Sequence, residues 1–136
     1  MVIKFTIQLE DQTVKFYEDA FHSDKFAQSK QLFIRLAEST RKRKREIERA
    51  AREGVDHSLL EPISGLSDET YASPIVFSET MSFSEGLAAA EQLEQRLQRF
   101  YSEAGEKIDF IAGVSRLYKR YAQERAKALE ALRSAS

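Results

Sequence analysis

Two glutamates on apolar helical stripes constrain the fold of this chain more than any other feature. Glu10 and Glu94 each interrupt a run of apolar residues spaced three and four apart, and each is followed six residues later by Phe-Tyr. A carboxylate on a core-facing stripe costs folding free energy unless a partner neutralises it. The repeat therefore predicts that both carboxylates meet a shared partner at the centre of the fold.

The apolar spacing along the whole chain predicts four helices. Their approximate bounds are 2–22, 24–53, 83–105 and 107–133. Short links join the first helix to the second and the third to the fourth, which predicts two antiparallel hairpins. A longer segment, about 55–82, connects the hairpins, and its apolar residues indicate that it packs against them. We therefore expect an all-α fold, a single domain over 1–136, built as a four-helix bundle with one long crossover.

The composition agrees with a helical domain and excludes several kinds of site. The 136 residues include 5 Gly, 2 Pro and no Cys, so thiolate metal sites and disulfides are excluded. The net charge of −1 gives no overall field that would attract nucleic acid or an anionic membrane. No stretch of sequence approaches the length and hydropathy of a membrane span. We expect a cytoplasmic protein that does not contact membranes.

Two local phrases carry a resemblance to a known family. They are Ile7-Gln8-Leu9-Glu10 followed by Phe16-Tyr17 in the first helix, and Leu32-Phe33 followed by Leu36-Ala37-Glu38 in the second. In order, duplication and placement, the phrases resemble the ferritin-like superfamily, and more closely its rubrerythrin-type branch. The resemblance implies a ferritin-like bundle of two hairpins. It also implies a diiron centre made from one Glu on each of two helices and a Glu-x-x-His pair on each of the other two.

Most of the ligands that the resemblance implies are missing from this chain. Glu10 and Glu94 match the two lone glutamates. The two Glu-x-x-His pairs fall on residues that do not match, which are Thr40 with Arg43 and Arg125 with Ala128. An arginine offers no lone pair to a metal and stays protonated in a protein. We therefore expect no functional diiron centre and no cofactor.

A buried network of ion pairs is the expected substitute for the metal. Arg43 and Arg125 would neutralise Glu10 and Glu94, giving two positive and two negative charges at the centre. Tyrosines on the same stripes would donate hydrogen bonds to the carboxylates. With its diiron site degenerate, such a chain is expected to act as a structural or interaction module rather than as an enzyme.

An enzymatic alternative stays open. Glu38 and Glu124 lie near the missing ligand positions, so a shifted iron site is conceivable for a rubrerythrin-like oxidase or peroxidase. Its ligands would be Glu10, Glu38, Glu94 and Glu124. The two histidines, His22 and His57, fall in or beside connections and do not replace a missing ligand.

One feature of the sequence could indicate nucleic-acid binding, the basic run Arg41-Lys42-Arg43-Lys44-Arg45. A helix distributes five consecutive residues around its axis, and neighbouring glutamates offset part of the charge. We therefore expect a solvated, salt-bridged helix surface, and nucleic-acid binding is disfavoured.

A second apolar stripe on the first and third helices predicts self-association. Its residues are Phe5, Leu9, Phe16, Leu93 and Phe100. A continuous apolar face of this kind is unfavourable in water. Either the crossover covers part of this face or the face forms a homodimer interface, and we expect the homodimer, with the crossover taking part.

Overall fold

The computed structural model describes residues 2–52, 75–107 and 112–135, and within them the chain is helical and contains no strand. Four α-helices pack together, as the sequence predicts. They are α1 (Val2–Phe21), α2 (Lys30–Arg52), α3 (Phe83–Lys107) and α4 (Ala112–Ala135), and a 3-10 helix spans Asp24–Ser29 before α2. None of the helices in the described part of the chain is long and apolar enough to span a membrane.

Several of the predicted helix bounds differ from the structure. The second predicted helix is divided, because Phe26 takes a non-helical conformation (φ −109°, ψ 18°) within the 3-10 segment. Helix α3 continues through Gly105 to Lys107, and the carbonyl of Gly105 accepts a hydrogen bond from Ser115 at 2.7 Å. Lys107 belongs to α3 and not to the fourth helix, which is described from Ala112, because residues 108–111 lie outside the described residues. Most of the predicted crossover, residues 55–74, lies outside the described residues.

Ion pairs show how the helices run relative to one another. Helix α1 packs mainly on α2, and α3 mainly on α4. Arg41 pairs with Glu18 and Lys44 with Asp11, so α1 and α2 are antiparallel. Smaller contacts join α1 to α3 and α2 to α4. The order around the bundle is therefore α1, α2, α4, α3.

The core consists of two apolar clusters with a polar layer between them. One cluster includes Leu9, Leu97 and Tyr121, and the other includes Phe16 and Leu132. Each helix carries one or two buried polar residues between members of the two clusters. These residues are Glu10, Thr13, Thr40, Arg43, Glu94 and Arg125. The polar layer therefore crosses the middle of the bundle.

The second apolar stripe is covered by the chain itself. Leu9, Phe16, Leu93 and Phe100 are each at most 2% exposed, and Phe5 packs on Phe100 with ring centroids 5.5 Å apart. The end of the crossover helps, because Phe77 packs edge-on against Phe16 at 5.8 Å. The sequence predicts a homodimer on the expectation that this stripe faces water. The stripe is buried within the chain, so the homodimer stays a prediction without that support.

A capping box fixes the start of α3. The Glu85 amide donates to Ser82 Oγ at 3.1 Å, and the Ser82 amide donates to Glu85 Oε1 at 3.0 Å. These hydrogen bonds lower the pKa of Glu85. One turn of α3 then lies against Phe26, a fully buried ring that also contacts Phe33 and Phe77.

Gly86 is predicted to be essential for this contact. A Cβ at Gly86 would lie 2.1 Å from Phe26 Cζ, and this buried ring packs against Phe33, Phe77 and Phe83. We expect Gly86→Ala to lower the free energy of unfolding by about 1–3 kcal/mol, as overpacked cores do, in urea titrations followed by circular dichroism. Gly113→Ala is the matched control, because nothing lies within 4 Å of its added Cβ. Equal effects of the two substitutions would show that Gly86 is not a packing position.

Candidate functional site

The polar layer brings together one residue or more from each helix. Glu10 comes from α1, Thr40 and Arg43 from α2, Glu94 from α3 and Arg125 from α4. All five are buried, with Arg43 the most exposed at 4%. Each occupies a core-facing position of its helix, and on α2 the two polar residues lie together between Leu36 and Ile47. The helices therefore present these polar groups to one another and not to solvent.

Arg125 lies between the two glutamates and binds both. Its Nη1 donates to Glu94 Oε1 at 2.9 Å, and its Nη2 donates to Glu10 Oε2. All three side chains are fully buried. Burial alone would lower the pKa of Arg125, but the two carboxylates raise it above the usual arginine value. One guanidinium is thus the shared partner of both carboxylates.

Two tyrosines complete the carboxylate contacts reciprocally. Tyr17 on α1 donates to Glu94 on α3, and Tyr101 on α3 donates to Glu10 on α1. Both tyrosines lie seven residues after a glutamate in the repeated phrase, so the repeat produces two equivalent cross-links between antiparallel helices. Burial, and then the adjacent carboxylate, raise the pKa of each tyrosine well above its usual value.

Thr40 joins the two arginines. Its hydroxyl donates to the Leu36 carbonyl at 2.7 Å and accepts from Arg125 Nη1 at 3.2 Å and Arg43 Nη2 at 3.3 Å. A hydroxyl has one hydrogen and two lone pairs, so all of its hydrogen-bonding capacity is used. In the sequence, Thr40 occupies the position of a missing metal ligand, and no other role is predicted for it. The signal that could have identified this role is a threonine on the core stripe, three residues before a buried arginine.

The ion-pair partner of Arg43 differs from the one that the sequence predicts. Its guanidinium pairs with Glu124 at 2.9 Å, and the described contacts of Arg43 include neither Glu10 nor Glu94. Helices α2 and α4 are neighbours, so Arg43 reaches the surface of α4, where the Glu124 side chain is 38% exposed. The central ion pairs are therefore a cluster of Glu10, Arg125 and Glu94, which Thr40 connects to an outer pair.

The residues of the centre do not fit the diiron site that the resemblance implies. Arg125 places a positive charge between the carboxylates that would hold the ions, and it has no lone pair to donate. Glu38 is exposed on α2, and Glu124 pairs with Arg43 and Arg120. Within residues 2–52, 75–107 and 112–135, no group of three or more His, Cys, Asp or Glu is placed to hold a metal. His22 is exposed and hydrogen-bonds the Glu18 carbonyl at 2.7 Å, and His57 lies outside the described residues.

Comparison with models of known protein families, with curated proteins and with solved structures found no match to this chain. The resemblance to ferritin-like proteins therefore rests on the phrases quoted above. Function has to be argued from the residues of the buried layer and of the surface.

Replacing Arg125 should cost more stability than replacing Arg43. Arg125→Leu leaves two fully buried carboxylates without a cation, and we expect a loss of about 3–5 kcal/mol in the free energy of unfolding, as for broken buried pairs. Arg43→Leu leaves only the partly solvated Glu124 and should cost less. Urea unfolding at neutral pH measures both. Adding Glu10→Gln and Glu94→Gln to Arg125→Leu should recover part of the loss; equal losses for the two arginines and no recovery would contradict the central role of Arg125.

Alkaline pH should unfold the protein by ionising its tyrosines. The pKa values of Tyr17 and Tyr101 are raised in the folded state, so above about pH 10 the unfolded chain releases protons that the folded chain retains. Stability is therefore unchanged by these groups below that pH and falls above it, by about 1.4 kcal/mol per pH unit for each tyrosine. Tyrosinate absorbance should appear together with the loss of helical circular dichroism. Ionisation of Tyr17 and Tyr101 in a protein that is still helical would contradict their burial.

Proposed function

We propose that this chain is a ferritin-like bundle related to the rubrerythrins, in which an arginine takes the place of the metal ions. In this proposal the protein serves as a structural or interaction module and not as a metal enzyme. The observation that carries it is the position of Arg125, which binds Glu10 and Glu94 at the centre of four packed helices.

The convergence of the four helices supports a ferritin-like origin. In diiron bundles, ligands from all four helices project to one point in the core. Here Glu10, Thr40, Glu94 and Arg125 come from four different helices and meet in the same way. An apolar core would not need such an arrangement, since buried ion pairs seldom add stability over well-packed apolar residues. A bundle that once enclosed a cation accounts for two buried carboxylates better than a bundle that never did.

The protonation behaviour of the layer supports a structural role. General acid–base catalysis needs a group whose pKa lies near the working pH. The pKa values of Tyr17, Tyr101 and Arg125 are all raised above their already high usual values. These groups hold their protons firmly at neutral pH. Tyr17 and Tyr101 donate hydrogen bonds, Arg125 supplies a positive charge, and together the three side chains fix the register of the helices.

Restoring the implied ligands should create a metal site. The variant carries Thr40→Glu, Arg43→His, Arg125→Glu and Ala128→His together, which completes the set that the resemblance implies. We expect it to bind about two ferrous or cobaltous ions per chain, measured by calorimetry and by the visible absorbance of bound cobalt. The unmodified protein, produced with added iron, should contain no stoichiometric iron.

The same four substitutions with Glu10→Gln and Glu94→Gln added form the matched control, which should lose the metal. Stoichiometric iron in the unmodified protein would overturn the proposal in favour of an iron oxidoreductase. A folded four-substitution variant that binds no metal would overturn the ferritin-like placement of these positions.

A further inference from the structure

Charge is divided unequally between the two sides of the bundle. Helix α2 has nine Lys and Arg against three Glu, and α4 has six against two. Helix α1 has two Lys against four acidic residues, and α3 has three basic against five acidic. Since α2 and α4 are neighbours, the basic helices share one side. The net charge of −1 conceals this separation.

On α2, the cations divide into those that are used within the fold and those that face solvent. Arg41 and Lys44 pair with Glu18 and Asp11 of α1, and Arg43 is buried. Five exposed cations of α2 have no ion pair to another described residue, and they include Lys30 and Arg45. The other three lie at intervals of seven residues and are Arg35, Lys42 and Arg49. Residues spaced by seven lie on the same side of a helix, so they form a row about 21 Å long.

A second row lies on α4, across a groove. Arg116, Arg120 and Lys127 are exposed and lie on one side of α4 by their spacing. The groove between the helices has a volume of ≈ 410 Å³ and is lined by Lys42 and Arg120 from the two rows. Its two carboxylates, Glu46 and Glu124, are already paired, with Arg120 at 2.8 Å and Arg43 at 2.9 Å. Arg120 is occupied by Glu46 and Glu124, so the cations left to bind an anion are the α2 row and, on α4, Arg116 and Lys127.

The lack of apolar groups on this α2–α4 face restricts the partner. Protein interfaces rely on buried aromatic and apolar anchors, and single-stranded nucleic acid is bound by stacking bases on aromatic rings. Among the described residues, the exposed large apolar side chain is Val76, which lies before α3 and outside this face. Rows of arginine and lysine without such anchors fit a regular array of phosphates.

We propose that the α2–α4 face binds the phosphate backbone of duplex nucleic acid without reading its sequence. Consecutive basic residues scatter around a helix, so the run at 41–45 by itself disfavours nucleic acid. In the fold, the exposed cations instead form two rows on adjacent helices. This proposal rests on the proposed function in one respect, because it names a partner for the interaction module. The two proposals are tested by different assays, metal binding and nucleic-acid binding, and either one can fail without the other.

The test is fluorescence anisotropy of the full chain with labelled duplex DNA and duplex RNA of about 25 base pairs, each in two unrelated sequences. We expect binding that is equal for the two sequences of each duplex. If four or more phosphates are neutralised, affinity should fall ~100-fold between about 50 and 200 mM salt. The variant Arg35→Gln/Lys42→Gln/Arg49→Gln should lose at least tenfold in affinity. The control Lys15→Gln/Arg99→Gln/Lys107→Gln removes the same charge from the α1–α3 side and should bind as the unmodified protein does.

Three results would overturn the proposal. The first is no binding of either duplex at 50 mM salt. The second is equal loss of affinity in the two variants, which would show that net charge and not the α2–α4 face is responsible. The third is tighter binding of polyglutamate than of a duplex with equal charge, which would assign the face to an acidic protein. Circular dichroism of both variants ensures that a loss of binding is not a loss of fold, and all the substituted side chains are exposed.

Discussion

The cost of burying two carboxylates is the constraint on which the rest of this structure depends. Glu10 and Glu94 are completely removed from water, and an isolated buried carboxylate would be far too unfavourable for a folded domain. Arg125 solves the problem for both with one cation, and Tyr17 and Tyr101 each supply a further donor. Every helix has to be placed so that these groups meet.

The layer therefore specifies the arrangement of the helices more than it adds to stability. Glu94 Oε2 and Arg125 Nε are buried without a hydrogen-bond partner in the described part of the chain, so the cluster is not fully satisfied. Such a cluster is weak evidence for extra stability. A shift of α1 against α3 by one turn, however, would separate both glutamates from their tyrosines. Apolar side chains can repack against other apolar side chains, whereas a buried carboxylate that loses its donors is left unsatisfied.

The sequence predicted the helices and the burial of the polar layer because both follow from periodicity along a single helix. It also predicted that tyrosines would bond the carboxylates, since they share the stripes. The partner of Arg43 could not be predicted, because it depends on which helices are neighbours and on Arg125 already occupying Glu10 and Glu94. The sequence does not predict the 3-10 segment before α2 for a similar reason: Phe26 packs against Phe77 and Gly86, which come from distant parts of the chain.

The inside and the outside of the bundle use the same residue types differently. At the centre an arginine neutralises carboxylates, and on the α2–α4 face arginines and lysines remain available to an external anion. The central claim is that a guanidinium, and not a metal, lies between Glu10 and Glu94. Crystals soaked in ferrous iron and measured at the iron absorption edge test it directly. The account predicts electron density for the Arg125 guanidinium bridging both carboxylates and no anomalous peak between them. An anomalous peak from an iron ion bound by Glu10 and Glu94, with Arg125 displaced, would contradict it.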